Sequence, residues 1–174
     1  MAVKLAVLLS PGFLEAEAAL TLEAARLLGW ESFTVARGRT SLEGAAGAVW
    51  TPRFTFVARP EPDVLVVPGG ASMSKLGRDE QHQDWLAEVW ERQKAVFCGA
   101  NGALFLLEAG RVSGRVAVHP VAREALAGTA LTLAEGPVHW SGKVCTTRGY
   151  ADLARALLDW AGFADDAKVH LGLT

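Results

Sequence analysis

Three side chains sit where their type and position could support chemistry: Glu17, Cys98 and His119. Cys98 closes a short apolar run, Ala95 to Cys98, directly before Gly99-Ala100-Asn101-Gly102. An apolar, helix-forming run then extends to Glu108 and stops at Gly110. This pattern reads as strand, tight turn, helix. Such an elbow lifts one side chain off the end of a sheet, toward the positive end of a helix. An anion formed there would meet unpaired backbone N–H groups. A thiol in that position has a depressed pKa, and its thiolate is the reactive form. A carboxyl group beside it must keep its proton to hydrogen-bond rather than repel, and two N–H groups would stabilise a developing oxyanion. Each residue also has a plainer reading, which for Cys98 is a buried strand thiol. Glu17 alone is a first-turn acid favoured by the helix dipole, and His119 alone is a half-buried histidine bonded to backbone.

The elements that must position these residues follow from hydrophobic patterning. Val3 to Leu9 is a continuous aliphatic run, expected as a strand buried on both faces. Glu15 to Leu28 has helical spacing and ends at Gly29. Trp30 to Ala36 alternates as a strand, Gly38 to Gly47 reads as a loop, and Val49 to Val57, broken by Pro52, holds one or two short strands. Asp63 to Val67 is a further aliphatic strand, closed by Pro68-Gly69-Gly70. Asp84 to Gln93 is an amphipathic helix with Trp85, Leu86, Val89 and Trp90 inward. Beyond the elbow, Arg115 to Val118 predicts a short strand ending at His119-Pro120, and Val121 to Ala127 one or two helical turns. Leu131 to Leu133 and Lys143 to Thr147 are expected as strands, Gly136-Pro137 and Ser141-Gly142 as turns, and Ala151 to Trp160 as a helix. The tail, Ala167 to Leu173, is loosely apolar. Alternating strands and helices predict an α/β fold with a mostly parallel sheet covered on both faces. Sites in such sheets form at the carboxyl ends of strands. Gly12 to Glu17, Gly69-Gly70, Gly99 to Gly102, His119 and Arg148-Gly149 all fall there.

Composition narrows the function classes. The 174 residues fit one domain, 1–174, with a sizeable core. Apolar residues make up 51% and charged residues 21%, as in soluble globular proteins. A formal net charge of −2 gives no reason to expect a nucleic-acid partner or an anionic membrane. No apolar run is long enough to span a bilayer, and the N-terminal run reads as a buried strand rather than a signal peptide. Two cysteines in apolar runs make neither a disulfide framework nor a zinc signature, so a cytoplasmic protein with reduced thiols, no metal and no cofactor is expected. His82, His139 and His170 lack ligand spacing. Cys145 reads as core and Asp165-Asp166 as solvated surface. Arg148 is a candidate for anion binding, or equally for pinning a loop. The six tryptophans read as core and interface, with Trp50 and Trp140 in segments that could border a dimer contact.

Taken in order, PGFLEAE (Pro11 to Glu17), DVLVVPGG (Asp63 to Gly70), ANGALFLLEAG, RVAVHPVAREAL (Arg115 to Leu126) and CTTRG (Cys145 to Gly149) resemble the ThiJ/PfpI superfamily. That superfamily includes the parkinsonism-associated deglycase/chaperone family. The resemblance covers nearly the whole chain. It implies a flavodoxin-like three-layer sandwich of the glutamine amidotransferase-like kind, a homodimer and a small-molecule substrate or ligand. By the same resemblance Glu17 matches the family glutamate that points at the elbow cysteine. Gly70 N–H matches one half of the oxyanion site, and the N–H after the elbow residue, here Asn101, the other. His119 matches the histidine near the elbow.

The nucleophile is where the chain departs. Family members reading like C-T-G-A-L-x-L-x-x-A-G, laid on this chain without gaps, put Ala100 at the cysteine position. Gly102, Ala103, Leu104 and Ala109-Gly110 then match, as does the spacing from Trp85. A strained elbow also favours small residues two before and two after its tip, and Ala100 has Cys98 and Gly102 there. A rival frame puts Cys98 at the tip but needs a two-residue deletion after Trp85. The first frame implies a non-catalytic or altered, small-molecule-binding or stress-related member. The second implies a cysteine-dependent hydrolase, deglycase or hydratase acting through Cys98 and Glu17.

Overall fold

The computed structural model describes residues 2–162 and 165–173. In chain order its elements are β1 (Lys4–Leu8), α1 (Glu15–Leu27), β2 (Glu31–Ala36), β3 (Leu42–Glu43), β4 (Val49–Trp50), β5 (Phe54–Thr55), β6 (Val64–Val67), α2 (Met73–Gly77) and α3 (Glu80–Trp90). Then come β7 (Ala95–Cys98), α4 (Ala103–Glu108), β8 (Arg115–Val116), a 3-10 helix (Pro120–Leu126), β9 (Thr132–Leu133), β10 (Val138–Ser141), β11 (Val144–Thr147), α5 (Ala151–Trp160) and α6 (Asp165–His170).

The aliphatic runs pair as a seven-stranded sheet, ordered β10-β11-β7-β6-β1-β2-β5. Every neighbouring pair is parallel except β10 with β11, which form an antiparallel hairpin. The strands β1, β2, β6, β7 and β11 stand in flavodoxin-like 2-1-3-4-5 order, which reverses direction beside β1. Ligands bind at such a reversal, outside the carboxyl ends of the strands.

Side chains alternate across the sheet, so each strand feeds two cores. In β7, Ala95 and Phe97 join the layer of α1, α5 and α6, with Ala18, Ala24, Leu153 and Leu157. Val96 and Cys98 join the opposite layer of α2, α3 and α4, with Met73, Trp85, Leu86 and Phe105. There Phe56 stacks on Trp85, ring centroids 4.5 Å apart, a contact that adds to simple area burial.

Several expectations need correction. The segment read as a loop before Gly47 contributes β3, which pairs antiparallel with β4. Arg115 to Val118 is paired only over Arg115–Val116, in a small parallel sheet with β9. The patterning missed α2 and β10, because five residues hold little periodicity and β10 is half exposed. The apolar tail from Ala167 begins inside α6 (Asp165–His170). Asp166 is exposed, and the side chain of Asp165 lies outside the described residues.

Candidate functional site

The carboxyl ends of β1, β6, β7 and β11 converge on Glu17. This side chain projects from the first turn of α1 and is fully buried. Its Oε1 accepts the Gly69 N–H at 2.8 Å, after β6, and its Oε2 accepts the Tyr150 N–H at 2.7 Å, after β11. Burial raises its pKa above the ordinary 4.5, and the two N–H groups offset part of that rise.

The slot around this carboxyl is built by the absence of side chains. A Cβ on Gly99 or Gly149 would fall within the Glu17 carboxylate. Gly149 also needs its φ of 90°, which L residues rarely adopt. The strand end is pinned by Thr147, whose hydroxyl donates to Cys98 O at 2.9 Å and accepts the Gly149 N–H at 3.0 Å.

Among the described residues only two non-glycines have positive φ: Ala100 at 42° and Tyr150 at 50°. Both flank Glu17. Strained backbone of this kind persists only where its surroundings enforce it, and it gathers at functional sites. The left-handed residue of the elbow is therefore Ala100. Cys98, two residues earlier, ends β7 and is 1% exposed in the α2, α3 and α4 layer. Gly99 is the residue whose Cβ direction meets Glu17, so by alternation Cys98 points to the other face of the sheet. No hydrogen bond joins Cys98 Sγ to Glu17 among the described contacts. Burial, with smaller contributions from Cys145 and Glu17, pushes the Cys98 thiol far above its ordinary 9.0. Cys145 is fully buried in the opposite layer, its thiol also pushed up by burial.

In front of the elbow lies a cavity of about 690 Å³. Gly12 and Leu14, Gly70 and Ala71, Ala100 and Asn101, His119, Val121 and Tyr150 contribute to its wall. The structure thus gathers Gly70, Ala100, Asn101 and His119 around one space. Glu17 sits behind it, and neither Cys98 nor Arg148 lines it. His119 N donates to Ala100 O at 3.3 Å, and its Nδ1 accepts the Val121 N–H at 3.3 Å. In the neutral ring that places the proton on Nε2, a donor for a ligand oxygen. Its ring lies 5.5 Å from that of Tyr150. Asn101 closes over Gly70: Gly70 N–H donates to Oδ1 at 2.8 Å, and Nδ2 donates to Gly70 O at 2.9 Å.

Sequence reasoning missed Tyr150, which both binds Glu17 and walls the cavity. The available signal was an aromatic residue directly after Arg148-Gly149, at a strand end and before a helix. The glycines at 99 and 149 read as ordinary turn residues because the acid they accommodate is distant in sequence. Among the described residues no group of three His, Cys, Asp or Glu side chains could hold a metal ion. No helix among them is long and apolar enough to cross a membrane.

The family model of the DJ-1/PfpI family matches residues 3–160. The chain belongs to this family. A ThiJ/PfpI family protein from Pseudomonas syringae superposes with a TM-score of 0.86 at 22% identity, covering 99% of this chain and 75% of that one. Drosophila melanogaster DJ-1beta gives 0.84 at 19% identity, with 100% of both chains covered. A mutant of a DJ-1 superfamily protein from Salmonella typhimurium, in which alanine replaces a cysteine, gives 0.80 at 25% identity, covering 98% and 95%. No curated protein is similar enough in sequence to count as a match.

Proposed function

We propose that this DJ-1/PfpI protein binds a small molecule at the elbow cavity and does so without a nucleophilic thiol. The observation that carries the reading is the φ of 42° at Ala100, which puts a methyl group at the turn where an elbow enzyme carries its nucleophile. The burial of Cys98 supports it, since a thiol reacts as the exposed thiolate. The family acid and His119 remain around the cavity as a buried acceptor and a polar wall. Two copies of the chain associating, with the exposed Trp140 near their contact, is part of the same reading, and light scattering reads it out.

The test is thiol labelling beside ligand titration. Iodoacetamide at neutral pH is expected to leave Cys98 and Cys145 unmodified in the native protein and to modify both after denaturation, as read by mass spectrometry. Acetophenone, a neutral ketone, is expected to shift the backbone amide signals of Ala100, Asn101 and Tyr150. Native labelling of Cys98 at the rate of a free thiol would overturn the reading in favour of a hydrolase, deglycase or hydratase using Cys98.

A further inference from the structure

Gly70 presents both of its backbone groups to one side chain. Its N–H is taken by Asn101 Oδ1 at 2.8 Å and its carbonyl by Nδ2 at 2.9 Å. On its other side the same stretch is bridged to Phe13 in antiparallel fashion. Only one orientation of the Asn101 amide makes both bonds. Turned over, it would set donor against donor and carbonyl against carbonyl. Asn101 therefore pairs with Gly70 as a neighbouring strand would, and withholds the Gly70 N–H from a ligand.

The rest of the wall gives an anion little help. It includes Leu14, Ala71, Val121, Ala122 and Ala125, with single donors on His119 and Tyr150 and no Lys or Arg. Behind Ala100 stands Glu17, whose two acceptor oxygens are already committed to Gly69 and Tyr150. A carboxylate entering this space would lose its water and meet no cation, and the Gly70 N–H would not be free to pair with it, which is costly. A ketone or aldehyde has one acceptor to satisfy, and His119 Nε2–H suffices.

The geometry points to Asn101 as a specificity-determining residue: its carboxamide occupies the Gly70 backbone site that a ligand oxyanion would use, so the cavity accepts neutral carbonyl compounds and rejects carboxylates. This rests on the cavity being a small-molecule site. Truncating Asn101 removes the internal partner and frees the Gly70 N–H for a ligand.

The experiment compares acetophenone with benzoate, which share a ring and differ in charge, by amide chemical-shift titration. In the unaltered protein acetophenone binds and benzoate does not at the same concentration. In Asn101→Ala the preference for acetophenone over benzoate falls by about tenfold or more, the scale of one charge-assisted hydrogen bond, and benzoate shifts the Gly70 amide signal. Asn101→Ser serves as a second truncation should the alanine variant fold poorly. Independently of any ligand, hydrogen exchange at the Gly70 N–H is faster in the variants than in the unaltered protein. An unchanged preference in both variants overturns the proposal. So does equal Gly70 exchange, which leaves the cavity reading standing provided acetophenone binds. If acetophenone shifts no cavity amide in any of these proteins, the cavity reading falls, and the proposal with it.

Discussion

Glu15 and Glu17 leave the same turn of α1, and each carboxylate accepts backbone N–H groups from a distant loop. Glu15 takes Ala46 N–H on both oxygens at 2.9 Å and Ala48 N–H at 3.1 Å, at the protein surface. Glu17 takes Gly69 and Tyr150 N–H at 2.8 and 2.7 Å, fully buried. The bonds are alike, yet the pKa values move in opposite directions. That of Glu15 is lowered, chiefly by Ala46, and that of Glu17 is raised, chiefly by burial. Water supplies the difference. Hydrogen bonds stabilise either carboxylate, but only at Glu17 does desolvation outweigh them. One acid ties down a loop, and the other holds the strand ends of a cavity together.

The largest expected effect comes from deleting the buried acid. Glu17→Ala leaves the Gly69 and Tyr150 N–H groups without partners and should cost about 2–4 kcal/mol in urea unfolding. Glu15→Ala exposes its loop amides to water, which takes the place of the carboxylate, and should cost much less. Equal losses would break the comparison.

Next come the glycines that make room for Glu17. Gly99→Ala should cost roughly 2–3 kcal/mol, because the new methyl overlaps the carboxyl. In the Glu17→Ala background that cost should largely vanish, a coupling that a double-mutant cycle measures. Gly149→Ala should recover less, since its left-handed φ and its closeness to Ala100 N persist without the acid.

The pH dependence sharpens the contrast in sign. For Glu17 the folded pKa is raised, so its contribution is fully present below about 4.5 and is lost as pH rises through the folded value. For Glu15 the folded pKa is lowered, so its contribution is present above about 4.5 and is lost as pH falls through the folded value. Glu17→Gln should therefore flatten the loss of stability on the rising side, and Glu15→Gln the loss on the acid side. Melting curves across pH 3 to 7 check both, and identical profiles would contradict the assignment.

The smallest effect on stability, under about 1 kcal/mol, is expected from Ala100→Cys, since the elbow already holds a Cβ at its tip. Its reactivity should change far more. Iodoacetamide should label the new thiol while Cys98 stays protected. If Glu17→Gln then alters the pH profile of that labelling and Glu15→Gln does not, the buried acid is the one that addresses the elbow.

Much of this was legible in the chain. The aliphatic runs from Val3, Asp63 and Ala95 could only be strands covered on both faces, and the helices between them forced parallel pairing. Family-like spacing around Gly102 and Ala109-Gly110 favoured Ala100 at the elbow, while Cys98 stayed open as a rival. Period two is a local property, but which face meets which helix depends on how the strand sits in the sheet. The run Ala95 to Cys98 already marked the end of β7, and only the folded chain fixed that its thiol faces away from Glu17. Likewise the sequence marked Gly70 and Asn101 as neighbours of a pocket, yet said nothing of the amide pairing between them. Hydrogen bonds across such sequence distances depend on strand order and loop placement. A residue's type sets what it can donate or accept, and the tertiary structure alone decides which partner arrives and whether water is left beside it.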